Sequence, residues 1–163
     1  KVRKTVCVVG LGYVGLPLAV RCVEKGYRVY GLDLDRKKIN MINAGKSPIE
    51  ETYLEEKLPK FRPIASRDGK VIKKSDIVLI CVPTPVDEKF YPDLRPVIEA
   101  TKMVARNLKK GSLVVLESTV NPGVSEEIVK PLIEKVGFKV SKDVFLAHCP
   151  ERRAGQAVRR RSA

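Results

Sequence analysis

The sequence lacks the long hydrophobic run that a membrane-spanning helix needs. None of its 163 residues belongs to an apolar stretch of 18 or more, whereas about 20 are required to cross a bilayer. It also has no charged-then-apolar leader followed by a cleavage site. From these absences we expect neither a membrane span nor a signal peptide, and we expect a cytosolic protein of one ordinary domain.

Cysteine is scarce, and its four copies lack the spacing of a metal or redox site. Cys7, Cys22, Cys81 and Cys149 contain no C-x-x-C pair. The first three fall in predicted strands or a helix, where a reduced thiol packs as a small hydrophobe. We therefore expect no metal site and no disulfide framework.

Acidic residues are fewer than basic ones, which gives a net charge of +13. A basic balance often indicates a nucleic-acid partner. Here, however, five arginines are concentrated in the last twelve residues and the other basic residues are scattered. No aromatic residues interleave with the arginines, and an acidic, phosphorylated substrate also suits a basic surface. A nucleic-acid binder is thus the less favoured alternative.

What the sequence does contain, over residues 5–19, is a strand, a glycine turn and a helix start in succession. The segment TVCVV is apolar and mostly β-branched, as a parallel strand covered on both faces requires. Gly10, Gly12 and Gly15 follow at the G-x-G-x-x-G spacing, which permits a tight turn, lets a pyrophosphate approach the backbone, and allows close helix packing. The helix start offers N–H groups to the anion. The pattern predicts a dinucleotide site.

A second predicted strand, Arg28–Leu32, delivers Asp33 where such folds place an acid on the adenosine ribose. A carboxylate at this point repels a 2′-phosphate. The cations that follow, Arg36, Lys37 and Lys38, are the kind that receive such a phosphate, but Asp33 opposes it. We therefore expect NAD rather than NADP as the cofactor.

Apolar runs alternate with amphipathic segments along the whole chain, which is typical of an α/β fold with a doubly wound parallel sheet. Six strands fit the Rossmann-like order 3-2-1-4-5-6. The predicted strands are Val6–Val9, Arg28–Leu32, Pro63–Ser66, Ile77–Val82, Leu113–Glu117 and Val144–Ala147. The predicted helices are Tyr13–Lys25, Arg36–Asn43, Glu51–Leu58, a short one at Lys70–Lys74, Leu94–Leu108 and Val124–Val136.

Ligands in such sheets bind beyond the carboxyl ends of the strands, so the segments after strands 4, 5 and 6 are candidates. Cys81–Asp87 places two prolines around Thr84, which makes either a rigid wall for the cofactor or simply a stiff turn. After strand 5, Thr119 is placed to orient a water or a reacting group, unless this segment serves only to cap a helix. After strand 6, Glu151 is a candidate acid or base, or a solvated loop carboxylate.

The motifs VVGLGYVGLPLA, VPTPVDE, ESTVNPGVSEEI and HCPER together resemble the N-terminal NAD-binding domain of the UDP-glucose/GDP-mannose dehydrogenase family. The resemblance runs from Val2 to about Arg152. The form of Cys149–Arg152 is similar to that of UDP-N-acetylmannosamine and UDP-N-acetylglucosamine 6-dehydrogenases. The resemblance implies oxidation of a UDP-sugar C6 alcohol to a carboxylate by an NAD-dependent dehydrogenase, with UDP-N-acetylmannosamine as the expected sugar.

The same resemblance implies the roles of individual residues. Thr119 and Glu151 match the family's catalytic threonine and glutamate, the first positioning water and the second assisting proton transfer or thioester hydrolysis. The implied cofactor-binding residues are Gly10, Gly12, Tyr13, Val14, Gly15, Asp33, Lys38, Val82, Pro83, Thr84, Ser118 and Thr119.

The resemblance stops before the family's second domain, which carries the nucleotide-sugar pocket and a nucleophilic cysteine that none of the four cysteines here matches. After Glu151 the register is lost. We therefore expect an NAD-binding domain over residues 1–151 and an irregular arginine-rich tail over 152–163, produced by truncation or a reading-frame change. Alone, such a chain is expected to be incompetent in catalysis. A non-catalytic NAD-binding or interaction module, and a homodimer, stay open.

Overall fold

The structure, a computed structural model, describes residues 3–88 and 91–150. Six parallel strands form one sheet in the order β3-β2-β1-β4-β5-β6, which confirms the predicted Rossmann-like, doubly wound α/β fold. The central strand β1 pairs with β2 on one side and β4 on the other, so the strand order reverses there. The strands are β1 Thr5–Val9, β2 Arg28–Leu32, β3 Ile64–Ser66, β4 Ile77–Ile80, β5 Leu113–Leu116 and β6 Phe145–His148.

Helices connect successive strands on both faces of this sheet. Their bounds are α1 Gly15–Glu24, α2 Arg36–Asn43, α3 Thr52–Lys57, α4 Arg95–Asn107 and α5 Lys130–Glu134, with a 3-10 helix at Gly69–Lys74. None of the helices in the described part of the chain combines the length and apolar character needed to cross a bilayer.

The hydrophobic core has two layers, one on each face of the sheet. On one face, Leu16 and Val20 of α1 pack with Ile42 and Leu54 of the next two helices against β1 and β2. On the other face, α4, α5 and the 3-10 helix cover β4 and β5 with side chains such as Val104. Burial on both faces explains why the strands consist of continuous apolar runs rather than alternating patterns.

The short strand β3 starts one residue later than the predicted Pro63–Ser66 segment and pairs only with β2. The side chain of Asn43 supports its outer edge. Its amide nitrogen donates to the Ala65 carbonyl at 2.9 Å, and its amide oxygen accepts from the Ala65 N–H at 2.9 Å. This side chain thus takes the place of a neighbouring strand.

The single helix predicted over Val124–Val136 is wrong in its first half. Residues Ser125–Val129 form a wide π-helical turn, in which the Lys130 N–H donates to the Ser125 carbonyl, before α5 begins. Pro131 explains the change, because proline has no N–H and its ring clashes with the carbonyl four residues earlier. A wider turn at this point avoids both problems.

Candidate cofactor site

The carboxyl ends of the parallel strands meet at one edge of the sheet, and the candidate residues lie along it. The glycine loop follows β1, Asp33 follows β2, and the segments containing Thr84 and Thr119 follow β4 and β5. Because β1 lies between β2 and β4, this edge includes the position where the strand order reverses. That position is where open α/β sheets bind their ligands.

Two of the three motif glycines are required by the packing of the backbone itself. Gly10 has a φ of +92°, and a Cβ atom there would lie 2.7 Å from the Cys81 carbonyl oxygen. A Cβ on Gly15 would lie only 1.8 Å from the Gly10 carbonyl oxygen. These glycines let the loop press against the end of β4 and let α1 start directly against the loop.

Gly12 is different, because a Cβ atom built on it would meet nothing within 4 Å. The ligand-free protein therefore does not need glycine at this position for its own packing. Open space in front of the Gly12 backbone is what a pyrophosphate requires. The first turn of α1 begins here, with the Leu16 N–H donating to the Gly12 carbonyl at 3.0 Å, and no side chain in the described residues caps this helix.

Tyr13 and Val14, also expected to bind the cofactor, complete this loop. The Tyr13 side chain is 73% exposed, and Val14 is half-buried against the core layer beneath α1. Their backbone N–H groups belong to the first turn of a helix, where donors lack partners four residues earlier. The loop therefore presents backbone rather than charged side chains to an anion.

Asp33 is fixed by three hydrogen bonds. Its Oδ2 atom accepts from the Leu11 N–H at 2.9 Å and from Lys38 Nζ at 3.1 Å, while Oδ1 accepts from the Asp35 N–H at 3.0 Å. Burial of the carboxyl raises its pKa, but the two N–H donors and Lys38 outweigh burial, so the pKa lies below its ordinary value. Asp33 is therefore a charged acceptor held beside the glycine loop.

The structure thus brings together Lys38 and Asp33, which the sequence placed separately in the cofactor site. Asp35 organises this turn, because its carboxylate caps α2 by accepting from the N–H groups of Lys37 and Lys38. The sequence contained a signal for this cap, since an aspartate directly before an amphipathic run is a common helix start. Residues 33–38 therefore form one hydrogen-bonded unit.

On the other half of the edge, hydroxyl groups join the loops that follow β4 and β5. The Thr84 hydroxyl donates to the Thr119 carbonyl at 2.7 Å, and the Ser118 hydroxyl donates to the Val82 carbonyl at 2.7 Å. Pro83 is exposed beside them. Sequence reasoning assigned these residues to cofactor contact and did not foresee the bonds between the loops.

The structure describes one of the two residues that are expected to be catalytic. Thr119 is exposed at the edge, directly after the buried Ser118. Glu151 lies outside the described residues, so its position relative to Thr119 stays a prediction.

The buried cysteines are poor nucleophiles. Burial raises the pKa of Cys7 to about 12, more than its hydrogen bond with Ser75 lowers it. Burial also raises the pKa of the Cys81 thiol, and the nearby charges of Glu117 and Cys22 raise it further. Both thiols are protonated near neutral pH and so lack the reactive thiolate form.

Comparison with known proteins identifies the family and supports the fold. A sequence model of the UDP-glucose/GDP-mannose dehydrogenase family, NAD binding domain, matches residues 4–160. The UDP-N-acetyl-D-glucosamine 6-dehydrogenase of Pseudomonas aeruginosa is 38% identical over 148 residues, which cover 90% of this chain and 35% of that protein. The UDP-N-acetyl-D-mannosamine dehydrogenase of Pyrococcus horikoshii is 34% identical over 155 residues, which cover 90% of this chain and 36% of that protein.

A solved structure gives the same result. The NDP-N-acetyl-D-galactosaminuronic acid dehydrogenase from Methanosarcina mazei Go1 superposes with a TM-score of 0.86 at 35% identity, covering 92% of this chain and 35% of that one. The chain therefore spans about a third of the length of the proteins it matches. From its glycine loop, the charged Asp33 beside that loop and these similarities, we conclude that the chain belongs to the UDP-glucose/GDP-mannose dehydrogenase family and is an NAD-binding domain of that family.

Proposed function

We propose that this chain is the cofactor-binding part of a nucleotide-sugar 6-dehydrogenase that oxidises the C6 alcohol of a UDP-sugar to a carboxylate. The observation that carries the proposal is the pairing, at one sheet edge, of open space over Gly12 with the charged Asp33. We take UDP-N-acetylmannosamine as the sugar, because the Cys149–Arg152 motif resembles that of UDP-N-acetylmannosamine and UDP-N-acetylglucosamine 6-dehydrogenases, and a relative 34% identical bears the first of these names.

Each part of the edge fits one part of NAD. Gly12 and the backbone of Tyr13 and Val14 would hold the pyrophosphate, and Asp33 would accept hydrogen bonds from the adenosine ribose. Lys38 donates a hydrogen bond to Asp33 and would therefore also lie at the adenosine end of the site. The nicotinamide end would face the segments that follow β4 and β5, which contain Val82, Pro83, Thr84, the buried Ser118 and Thr119.

The chemistry divides between the cofactor and the chain. When bound, NAD accepts the hydride that leaves the sugar carbon. Thr119 would hold a water near that carbon, and Glu151 would transfer the proton. Trapping the aldehyde needs a thiolate. The resemblance places that cysteine in the family's second domain, and none of the four cysteines here matches it. Turnover therefore requires residues beyond this domain.

Two further expectations belong to this proposal. We place the protein in the cytosol, which is supported by four cysteines that are all free thiols, as a reducing compartment keeps them.

We also propose that the outer strand β6 is covered by further residues or by a second copy, because Phe145 is 49% exposed there. Analytical ultracentrifugation of the chain and of Phe145→Glu measures their oligomeric state. A dimer that Phe145→Glu disrupts would support pairing through this strand, and a monomer in both cases contradicts it.

A chimeric enzyme tests the dehydrogenase proposal. Residues 1–152 replace the matching third of the Pyrococcus horikoshii dehydrogenase, and NADH formation is followed with UDP-N-acetylmannosamine. We expect two NADH per sugar, and at NAD concentrations well below saturation we expect NADH formation to be about 30-fold slower in the same chimera with Gly12→Ala. A folded chimera that binds NAD but forms no NADH contradicts the proposal.

A second chimera tests the assignment to the mannosamine subclass through the fit of this domain to each parent's second domain, because the sugar pocket itself comes from the parent. The same residues replace the matching third of the Pseudomonas aeruginosa UDP-N-acetyl-D-glucosamine 6-dehydrogenase. We expect the mannosamine-type chimera to keep the larger fraction of its parent's turnover. An equal or smaller fraction contradicts the assignment to UDP-N-acetylmannosamine.

A further inference from the structure

We propose that Thr84 and Ser118 are positioning residues that cross-link the loops after β4 and β5 and thereby hold Thr119 in place. The sequence suggested instead that their hydroxyls contact the cofactor. The proposal rests on the proposed function in one respect, since it takes these loops to face the nicotinamide end of NAD.

Both hydroxyls have already used their donor capacity within the protein. A hydroxyl has a single hydrogen to donate, and that of Thr84 goes to the Thr119 carbonyl at 2.7 Å. That of Ser118 goes to the Val82 carbonyl at 2.7 Å, with the Ile80 carbonyl further away at 3.3 Å. Ser118 is also only 5% exposed, so a ligand does not reach it.

The two bonds run in opposite directions. Thr84 lies in the loop after β4 and donates to the backbone after β5, whereas Ser118 lies after β5 and donates to the backbone after β4. Each loop therefore restrains the other. We call this pair of hydrogen bonds the hydroxyl cross-link.

The cross-link connects the two loops beyond the point where the backbone pairing of β4 and β5 ends. The regular pairing of β4 with β5 ends at Ile80 and Leu116, after which the N–H groups of Glu117 and Ser118 both donate to the Ile80 carbonyl. Beyond that point the β4 side contains Pro83 and Pro85, which disfavour the continuation of a regular central strand. Side-chain hydroxyls continue the connection where the backbone ladder stops.

The hydroxyl cross-link restrains the backbone of Thr119. Its carbonyl lies in one rigid plane with the following peptide N–H, so the bond from Thr84 fixes the orientation of that plane. The orientation of the plane limits the directions that the exposed Thr119 side chain adopts. A hydroxyl cross-link thus places the residue that is expected to meet the reacting groups.

Amide hydrogen exchange of the ligand-free 163-residue chain tests the cross-link without any cofactor. We compare Thr84→Val, which keeps the side-chain shape, with Thr84→Ser, which keeps the hydroxyl. The matched control is Thr101→Val, because the Thr101 hydroxyl is buried without a hydrogen-bond partner among the described residues. We expect the rate of amide exchange at residues 117–121 to rise about 10-fold in Thr84→Val. In Thr84→Ser and in the control, the rate should equal that of the unsubstituted chain.

Binding of two probes separates positioning from a general loss of structure. ADP occupies only the glycine loop and the Asp33 region, whereas NADH also reaches the loops after β4 and β5. We expect Thr84→Val and Ser118→Ala to weaken NADH binding about 5-fold or more and to leave ADP binding as in the unsubstituted chain. Melting temperatures confirm that each variant is folded.

Three results would overturn the proposal. They are unchanged exchange at residues 117–121 in Thr84→Val, equal weakening of ADP and NADH, and failure of Thr84→Ser to restore either readout. If the unsubstituted chain binds neither probe, the proposed function fails instead, and the exchange measurement still decides whether the cross-link exists.

Discussion

The two halves of the sheet edge are built in different ways. In the half formed by β1 and β2, backbone shape decides the geometry, because Gly10 and Gly15 fill positions where any Cβ would overlap backbone atoms. In the half formed by β4 and β5, side-chain hydroxyls of Thr84 and Ser118 bond to the backbone of the neighbouring loop. The glycine loop of the first half depends on the absence of side chains, whereas the loops of the second half depend on their presence.

This difference has a consequence for how each half tolerates substitution. A clash with backbone atoms cannot be relieved by rotating a side chain, so we expect large losses of stability in the first half. Loss of one hydroxyl removes only one hydrogen bond, so we expect moderate losses in the second half.

Gly15→Ala should have the largest effect. The added Cβ would lie 1.8 Å from the Gly10 carbonyl oxygen, and moving backbone to relieve such an overlap costs about 3 kcal/mol or more. Urea unfolding at neutral pH measures the loss. Gly12→Ala is the matched control, with a change within about 0.5 kcal/mol, and equal losses in the two variants would contradict our division of the glycines.

Asp33→Asn should have the next largest effect. Replacing a charged acceptor of three hydrogen bonds should lower the free energy of unfolding by about 2 kcal/mol at neutral pH. The folded pKa of Asp33 lies below its ordinary value of 3.8. The contribution of its charge is therefore fully present above the unfolded pKa and is lost as the pH falls through the folded pKa.

Urea unfolding at neutral pH and in acid checks this prediction. The difference in the free energy of unfolding between the unsubstituted chain and Asp33→Asn should become smaller as the pH falls. Because Asp76 and Asp143 also have lowered pKa values, only this difference isolates Asp33. A difference that does not change with pH would show that the charge of Asp33 does not stabilise the turn.

Ser118→Ala should cost less, about 1.5 kcal/mol, because the half-buried Val82 carbonyl loses one neutral partner. Urea unfolding measures this loss too, and the pH should not affect it. A loss as large as that of Gly15→Ala would indicate that the second half of the edge also depends on backbone packing.

Thr101→Val should have the smallest effect and the opposite sign. The Thr101 hydroxyl on α4 is buried and has no partner within the described residues, so replacing it with a methyl group removes a desolvation cost. We expect stability to rise by up to about 1 kcal/mol in thermal or urea unfolding. A destabilised Thr101→Val protein would mean that this hydroxyl is satisfied in solution.

The two halves also differ in how far the sequence predicted them. The first half follows from spacing alone, because Gly10, Gly12, Gly15 and the acid Asp33 fit the general sequence pattern of a dinucleotide-binding site. The order of the six strands was predictable for the same reason, since continuous apolar runs separated by helices indicate a parallel sheet.

The second half could not be predicted in the same way. The bond between Ser118 and Val82 joins residues that are 36 positions apart, and it depends on where two loops end relative to each other. The π-helical turn before Pro131 is an intermediate case, because a proline within a helical pattern signals a break but does not indicate which wider turn results.

Calorimetric titration of NAD into the chain and into Gly12→Ala tests the central claim most directly. Our account predicts saturable binding to the unsubstituted chain. It also predicts an unchanged melting temperature for Gly12→Ala but affinity at least about 30-fold weaker, because the added methyl group occupies space that the pyrophosphate needs. Equal affinity in the two proteins, or no binding by a folded chain, would contradict the assignment of this sheet edge as the NAD site.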